Sequence, residues 1–108
     1  YLRGAPYLDT TRSVDARVQD LLARMGPLEK FHQLYMTPGN LDNPAHDYSA
    51  GSFGLQVSVR PAVPAQQAAR AHAAHLDSMQ QWFRHRTRLG IPALFFDEAL
   101  HGLMREGA

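Results

Sequence analysis

The stretch Arg88-Leu-Gly-Ile-Pro-Ala-Leu-Phe-Phe-Asp-Glu-Ala-Leu-His-Gly102 decides the fold. Ile91 to Phe96 is an apolar run of strand length, with Pro92 near its start, where a strand tolerates proline. A run this short and this apolar predicts a strand covered on both faces, as in a parallel sheet. Charge follows at once, as Asp97, Glu98 and then His101. Polar residues just past the carboxyl end of a parallel strand are where α/β enzymes place their ligand contacts.

Upstream, the spacing predicts a long helix from about residue 64 to 86. Ala65, Ala68, Ala69, His72, Leu76, Met79 and Phe83 share one face of it. Arg84, His85 and Arg86 complement the dipole of its last turn, and Leu89-Gly90 closes it. Before it, Phe53, Leu55, Val57 and Val59 alternate with smaller or polar residues and predict a strand over 52–59. Strand, long helix and strand make a βαβ unit, hence an α/β chain with a parallel sheet.

Residues 37–50 hold Pro38, Gly39, Asn40, Asp42, Asn43, Pro44, Asp47 and Ser49, which is the composition of a loop. Ser13 is a good N-cap for a helix over 13–25, with Val14, Val18, Leu21, Leu22 and Met25 at helical spacing. Gly26-Pro27 then restarts a second short helix, whose buried side is expected to be Phe31, Leu34 and Tyr35. The chain divides into leading helices (1–36), a loop and first strand (37–63), and a helix and second strand (64–102).

Composition narrows the classes. The 108 residues, 44% of them apolar, suffice for one small domain. A formal charge of +1 gives no global attraction to nucleic acid or anionic membranes. The absence of cysteine removes disulfides and thiolate metal sites. No apolar stretch reaches membrane-span length. The chain begins at Tyr1 without an initiator Met or a signal-peptide pattern, and is read as processed or excised.

Asp97 and Glu98 suit a polyhydroxylated ligand, because carboxylates accept paired hydrogen bonds from neighbouring hydroxyls. The bland alternative is a solvated turn after a strand. Glu98-x-x-His101 matches half of a di-iron carboxylate site, but that site needs a second such pair and two further glutamates. Glu29, Glu98 and Glu106 are all the glutamates there are, so no metal is expected. His72 and His75 form another such pair on an alanine-rich helix without an acidic partner, and are expected to be packed or half-exposed. Trp82 to Arg88 mixes aromatics with cations, as single-strand binders do. A helix with core-facing aromatics and a cationic end explains it better.

These residues resemble the amino-terminal part of glycoside hydrolase family 3, the β-glucosidases, β-xylosidases and their relatives. One matching segment is Tyr7-Leu8-Asp9 with the helix Ala16 to Met25. Another is Met25-Gly-Pro-Leu-Glu-Lys-Phe-His-Gln-Leu34, similar to the family's Met-Thr-Leu-Glu-Glu-Lys-x-x-Gln-Leu. The most specific is Thr87-Arg-Leu-Gly-Ile-Pro92 running into Glu98-Ala-Leu-His-Gly102. Gly26-Pro27-Leu28 departs from the family's Thr-Leu-Glu and loses the usual capping box, while the region 37–63 matches poorly.

The resemblance implies a fragment of a (β/α)8 barrel of the TIM type, followed in the family by a second α/β domain. It implies retaining hydrolysis of terminal non-reducing β-D-glucosyl residues through a covalent glycosyl-enzyme, with no cofactor. Glu98 takes the role of the carboxylate that binds sugar hydroxyls, and His101 supports the site. Asp97 has no dependable role in the family and is taken as supporting. The family's Asp nucleophile lies on a later strand and its acid/base in the following domain. These 108 residues are therefore expected to be inactive alone and to need the rest of the barrel and the second domain. The partner is a β-linked oligosaccharide or glucoside, without nucleic acid or membrane, and the expected location is periplasmic or secreted. The alternatives are a β-xylosidase of the same family and a non-catalytic helical binding module.

Overall fold

In the computed structural model, which describes residues 2–57 and 63–103, a 3₁₀ turn at Pro6–Leu8 leads into three helices and three short strands. They follow as α1 (Val14–Arg24), α2 (Pro27–His32), β1 (Met36–Pro38), β2 (Gly54–Gln56), α3 (Ala65–Arg86) and β3 (Leu94–Phe96). The strands form one sheet in the order β1-β2-β3, and both pairs are parallel. Met36, Gly54 and Leu94 lie level at one edge, and Pro38, Gln56 and Phe96 at the other. The chain is thus mixed α/β with a small parallel sheet, and α3 is the crossover between β2 and β3. All three carboxyl ends face the same way.

Local chemistry sets the helix starts. The Ser13 Oγ accepts the Ala16 N–H at 3.3 Å, capping α1. At α2 the Glu29 carboxylate accepts the Gly26 N–H at 2.8 Å. This is the half of a capping box that survives without a Thr before the helix. Pro27 fills the first position of α2, where no N–H is needed. α3 ends at Thr87, whose Oγ1 donates to the Phe83 carbonyl at 2.6 Å and accepts the Gly90 N–H at 3.2 Å. Gly90 has φ +61°, a left-handed conformation that turns the chain from helix into strand.

The core lies between the sheet and α3. Leu55 and Val57 pack with Met79, Phe83, Ala93 and Tyr48, and all six are buried. Phe83 and Leu55 are fully enclosed, each at 0% exposure. Burying such a side chain stabilises by about 1.5–3 kcal/mol. The Tyr48 ring meets Phe83 edge-on at 6.2 Å and occupies the space a side chain at Gly39 would need.

The segment entering β3 is tied from several directions. The Tyr7 Oη donates to the Leu89 carbonyl at 2.5 Å. Arg88 reaches the Arg24 carbonyl at 2.8 Å and pairs with the Glu29 carboxylate. The Gln80 side chain donates to the Ala93 carbonyl at 2.8 Å and accepts the Ala93 N–H at 2.9 Å. A side-chain amide thus supplies both hydrogen bonds that a neighbouring strand would give Ala93, and the ladder itself begins one residue later.

Several sequence expectations are corrected. The run Ile91 to Phe96 joins the ladder only over Leu94–Phe96, and it is not covered on both faces. Ala93 is buried and Phe95 packs on the core, but Leu94 is 56% exposed because no described element covers that side of the sheet. Phe31, Leu34 and Tyr35 are exposed rather than buried. α2 ends at His32, and the rings of Phe31 and Tyr35 meet edge to face at 5.3 Å instead of packing on the core.

The segment read as loop from residue 37 contributes to strand β1. Pro38 has no N–H to give, which an edge strand allows. Of the alternating residues, Leu55 and Val57 are buried, whereas Phe53 precedes the strand and is 38% exposed. Val59 lies outside the described residues. On α3, Ala68, Met79 and Phe83 are buried and Leu76 is partly buried, but Ala65 and Ala69 are exposed.

Candidate functional site at the carboxyl edge of the sheet

The parallel register brings the residues after each strand to one edge. Gly39 and Asn40 follow β1, Val57 follows β2, and Asp97 and Glu98 follow β3. The Gly39 N–H donates to the Gln56 carbonyl at 3.1 Å, which joins the first two ends. The Gln56 Nε2 donates to the Asp97 Oδ1 at 3.3 Å, which joins the second and third. The same oxygen accepts the Glu98 N–H at 2.9 Å. Asp97 therefore closes a turn just past β3 and fixes where Glu98 leaves the sheet.

Glu98 and His101 are both exposed, and neither side chain is hydrogen-bonded or ion-paired to another described residue. Residues 97–103 are not helical: Leu100 and Gly102 form an isolated bridge, and Gly102 has φ +100°. Glu98 and His101 are therefore not stacked one turn apart on a helix, and the di-iron geometry is not formed. Among the described residues, no group of three or more His, Asp or Glu is placed to hold a metal ion. No helix among them is long and apolar enough to cross a membrane.

Two side chains at this edge went unnoticed in the sequence. Gln56 is a polar residue at the end of an otherwise buried strand, and that pattern is a visible signal. Asn40 is not visible in this way, because β1 itself was hidden. The Asn40 Nδ2 donates to the Asp42 Oδ2 at 3.4 Å, while its Oδ1 is enclosed with no donor among the described residues. An enclosed acceptor without a donor costs about 1–3 kcal/mol.

The other histidines and the cationic run are placed as the helix reading requires. His72 and His75 are half-buried on α3. Phe83 is buried, with Trp82 packed against it at 5.3 Å, and Arg84, His85 and Arg86 are exposed at the helix end.

Glu98 lines neither of two cavities formed by described residues. One, of about 320 Å³, lies beside β1 under the connection between β1 and β2. The other, of about 640 Å³, lies between α1 and the entry to β3. No family model matches the chain, no curated protein is similar to it, and no solved structure matches its fold.

Proposed function

We propose that this chain is the amino-terminal part of the barrel domain of a family 3 glycoside hydrolase. The complete enzyme would be a retaining exo-β-glycosidase releasing terminal β-D-glucosyl residues. The observation that carries this reading is the pair Asp97-Glu98 at the carboxyl end of β3. That end belongs to a parallel sheet whose strands lie side by side in chain order. A (β/α)8 barrel likewise lays parallel strands side by side in chain order and joins them by helices, as α3 joins β2 to β3, and it places ligand contacts at this edge.

In this reading Glu98 accepts hydrogen bonds from sugar hydroxyls. Asp97, held by Gln56, sets the direction in which Glu98 leaves the strand, and His101 flanks the site. Asn40, with its enclosed acceptor at the same edge, adds a second polar group. The nucleophile and the acid/base come from outside these residues, so their separation and the bond-breaking steps belong to the rest of the enzyme.

The exposed sheet face at Leu94 fits a partial barrel, since a complete barrel packs that face against other strands. The test is hydrolysis of an aryl β-glucoside by the complete polypeptide and by residues 1–108 separately. Turnover by the first and none by the second is the expected result. Absence of turnover by the complete polypeptide on both aryl β-glucoside and aryl β-xyloside would overturn the reading.

A further inference from the structure

Parallel neighbours need a long crossover, and the usual one contains a helix. Between β1 and β2 the crossover is residues 39–53, and it contains none. It folds back on its own hydrogen bonds. The Asn43 Oδ1 accepts the Ala45 N–H at 3.0 Å, the Asp47 Oδ1 accepts the Ser49 N–H at 2.8 Å, and the Gly51 N–H reaches the Tyr48 carbonyl at 2.8 Å. α2 ties down its far end: the Phe53 N–H donates to the His32 carbonyl at 2.9 Å, and the His32 Nδ1 lies 3.0 Å from the Gly51 carbonyl. The loop borders a cavity of about 320 Å³ beside β1.

The lining has a definite chemistry. His32 and Tyr35 form one aromatic pair, with ring centres 6.1 Å apart and planes at 74°. His46 and Tyr48 form another, 5.7 Å apart and perpendicular. Thr37 and Ser52 add hydroxyls, and no Lys or Arg lines the space. Asp47 is the single carboxylate in the lining. The Ser49 N–H and hydroxyl hold its carboxyl below the ordinary aspartate range, so it is charged at neutral pH.

The Gly51 carbonyl only accepts, so the His32 Nδ1 carries a proton and donates to it. Aromatic rings, one carboxylate and several acceptors, with no Lys or Arg in the lining, favour a positively charged guest and disfavour an anion. We propose that this cavity is a binding site for a small organic ammonium ion, separate from the carboxyl-edge site and independent of the glycosidase reading. The ammonium lies among the four rings, with its charge toward Asp47.

The test uses choline and the neutral alcohol in which carbon replaces its nitrogen, titrated into the protein while the imidazole resonances of His32 and His46 are followed. Choline should shift both saturably and bind at least about tenfold tighter than the isostere, which is the size of two partly exposed cation–π contacts of up to about 1 kcal/mol each. Asp47→Asn keeps an acceptor for the Ser49 N–H and so spares the turn. It should weaken choline at least about tenfold and leave the isostere unchanged. Tyr35→Leu should weaken choline alone. If that variant fails to fold, Asp47→Asn decides. Equal binding of the isostere, saturable shifts with glucose in place of choline, or no saturation by choline would each overturn the proposal.

Discussion

The entry to β3 and its exit are built differently. The entry, Thr87 to Ala93, is held by Tyr7, Glu29, Gln80 and the end of α3, through contacts that reach back across most of the chain. The exit, Asp97 to Leu103, carries a long-range side-chain bond from Gln56, and its residues are exposed. The same short strand is therefore anchored at its root and open at its tip. In parallel α/β folds the amino ends of strands carry stability and the carboxyl ends carry chemistry, because an open edge leaves room for a ligand. The contrast within this chain has that polarity, and substitutions at the two ends should separate stability from activity.

The largest stability loss is expected beneath the root. Phe83→Ala removes a ring at 0% exposure between Leu55, Val57 and Tyr48, and should cost about 3–5 kcal/mol in urea unfolding. A loss under 1 kcal/mol would mean that the root is not where the core is. Next comes Gln80→Ala, which strips both backbone partners from Ala93. The expected cost is about 1–3 kcal/mol, with faster amide exchange at Ala93. Exchange unchanged at that amide would break the claim that a side chain stands in for a strand.

A smaller effect should appear with pH. Glu29 sits below its ordinary carboxyl range, first because of the hydrogen bond from Arg88 and also because of the Gly26 N–H. A lowered folded-state value means that this stabilisation is complete above the unfolded glutamate value of about 4.3. It is lost as pH falls through the lower folded value. Arg88→Gln should therefore flatten the fall in melting temperature over that acid window and leave no acid-specific change elsewhere. The smallest stability effect belongs to the tip: Glu98→Gln should shift unfolding by no more than about 0.5 kcal/mol, since the side chain is exposed and holds nothing in place.

How much was legible in the sequence follows the same division. α1 and α3 were readable to within a residue or two. Ser13 is a cap, and Val14 to Met25 and Ala68 to Phe83 repeat at helical spacing over many turns. The parallel sheet was readable because the run at Leu94–Phe96 is separated from Gly54–Gln56 by one long helix. β1 was not readable, because three residues ending in proline carry no periodicity and only their neighbour β2 defines them. The Gln80 clamp could not be foreseen either, since nothing local marks a mid-helix glutamine as the partner of a strand thirteen residues later.

The burial of α2 was misjudged for a related reason. Hydrophobic spacing shows which residues share a face, but not whether a neighbour exists to cover it. Val14 at 70% exposure on α1 makes the same point. At the site, Asp97, Glu98 and His101 were legible as residues after a strand, while the Gln56–Asp97 bond depends on register and was not.

Glu98 is proposed to contact sugar at the open tip of an anchored strand. The most direct measurement is kcat/KM for an aryl β-glucoside with the complete polypeptide carrying Glu98→Gln, compared with the unsubstituted polypeptide at equal folded concentration. A fall of at least about tenfold with an unchanged melting temperature is the predicted result, since a hydrogen bond to a charged carboxylate is worth about 1.5–3 kcal/mol. An unchanged kcat/KM would contradict it.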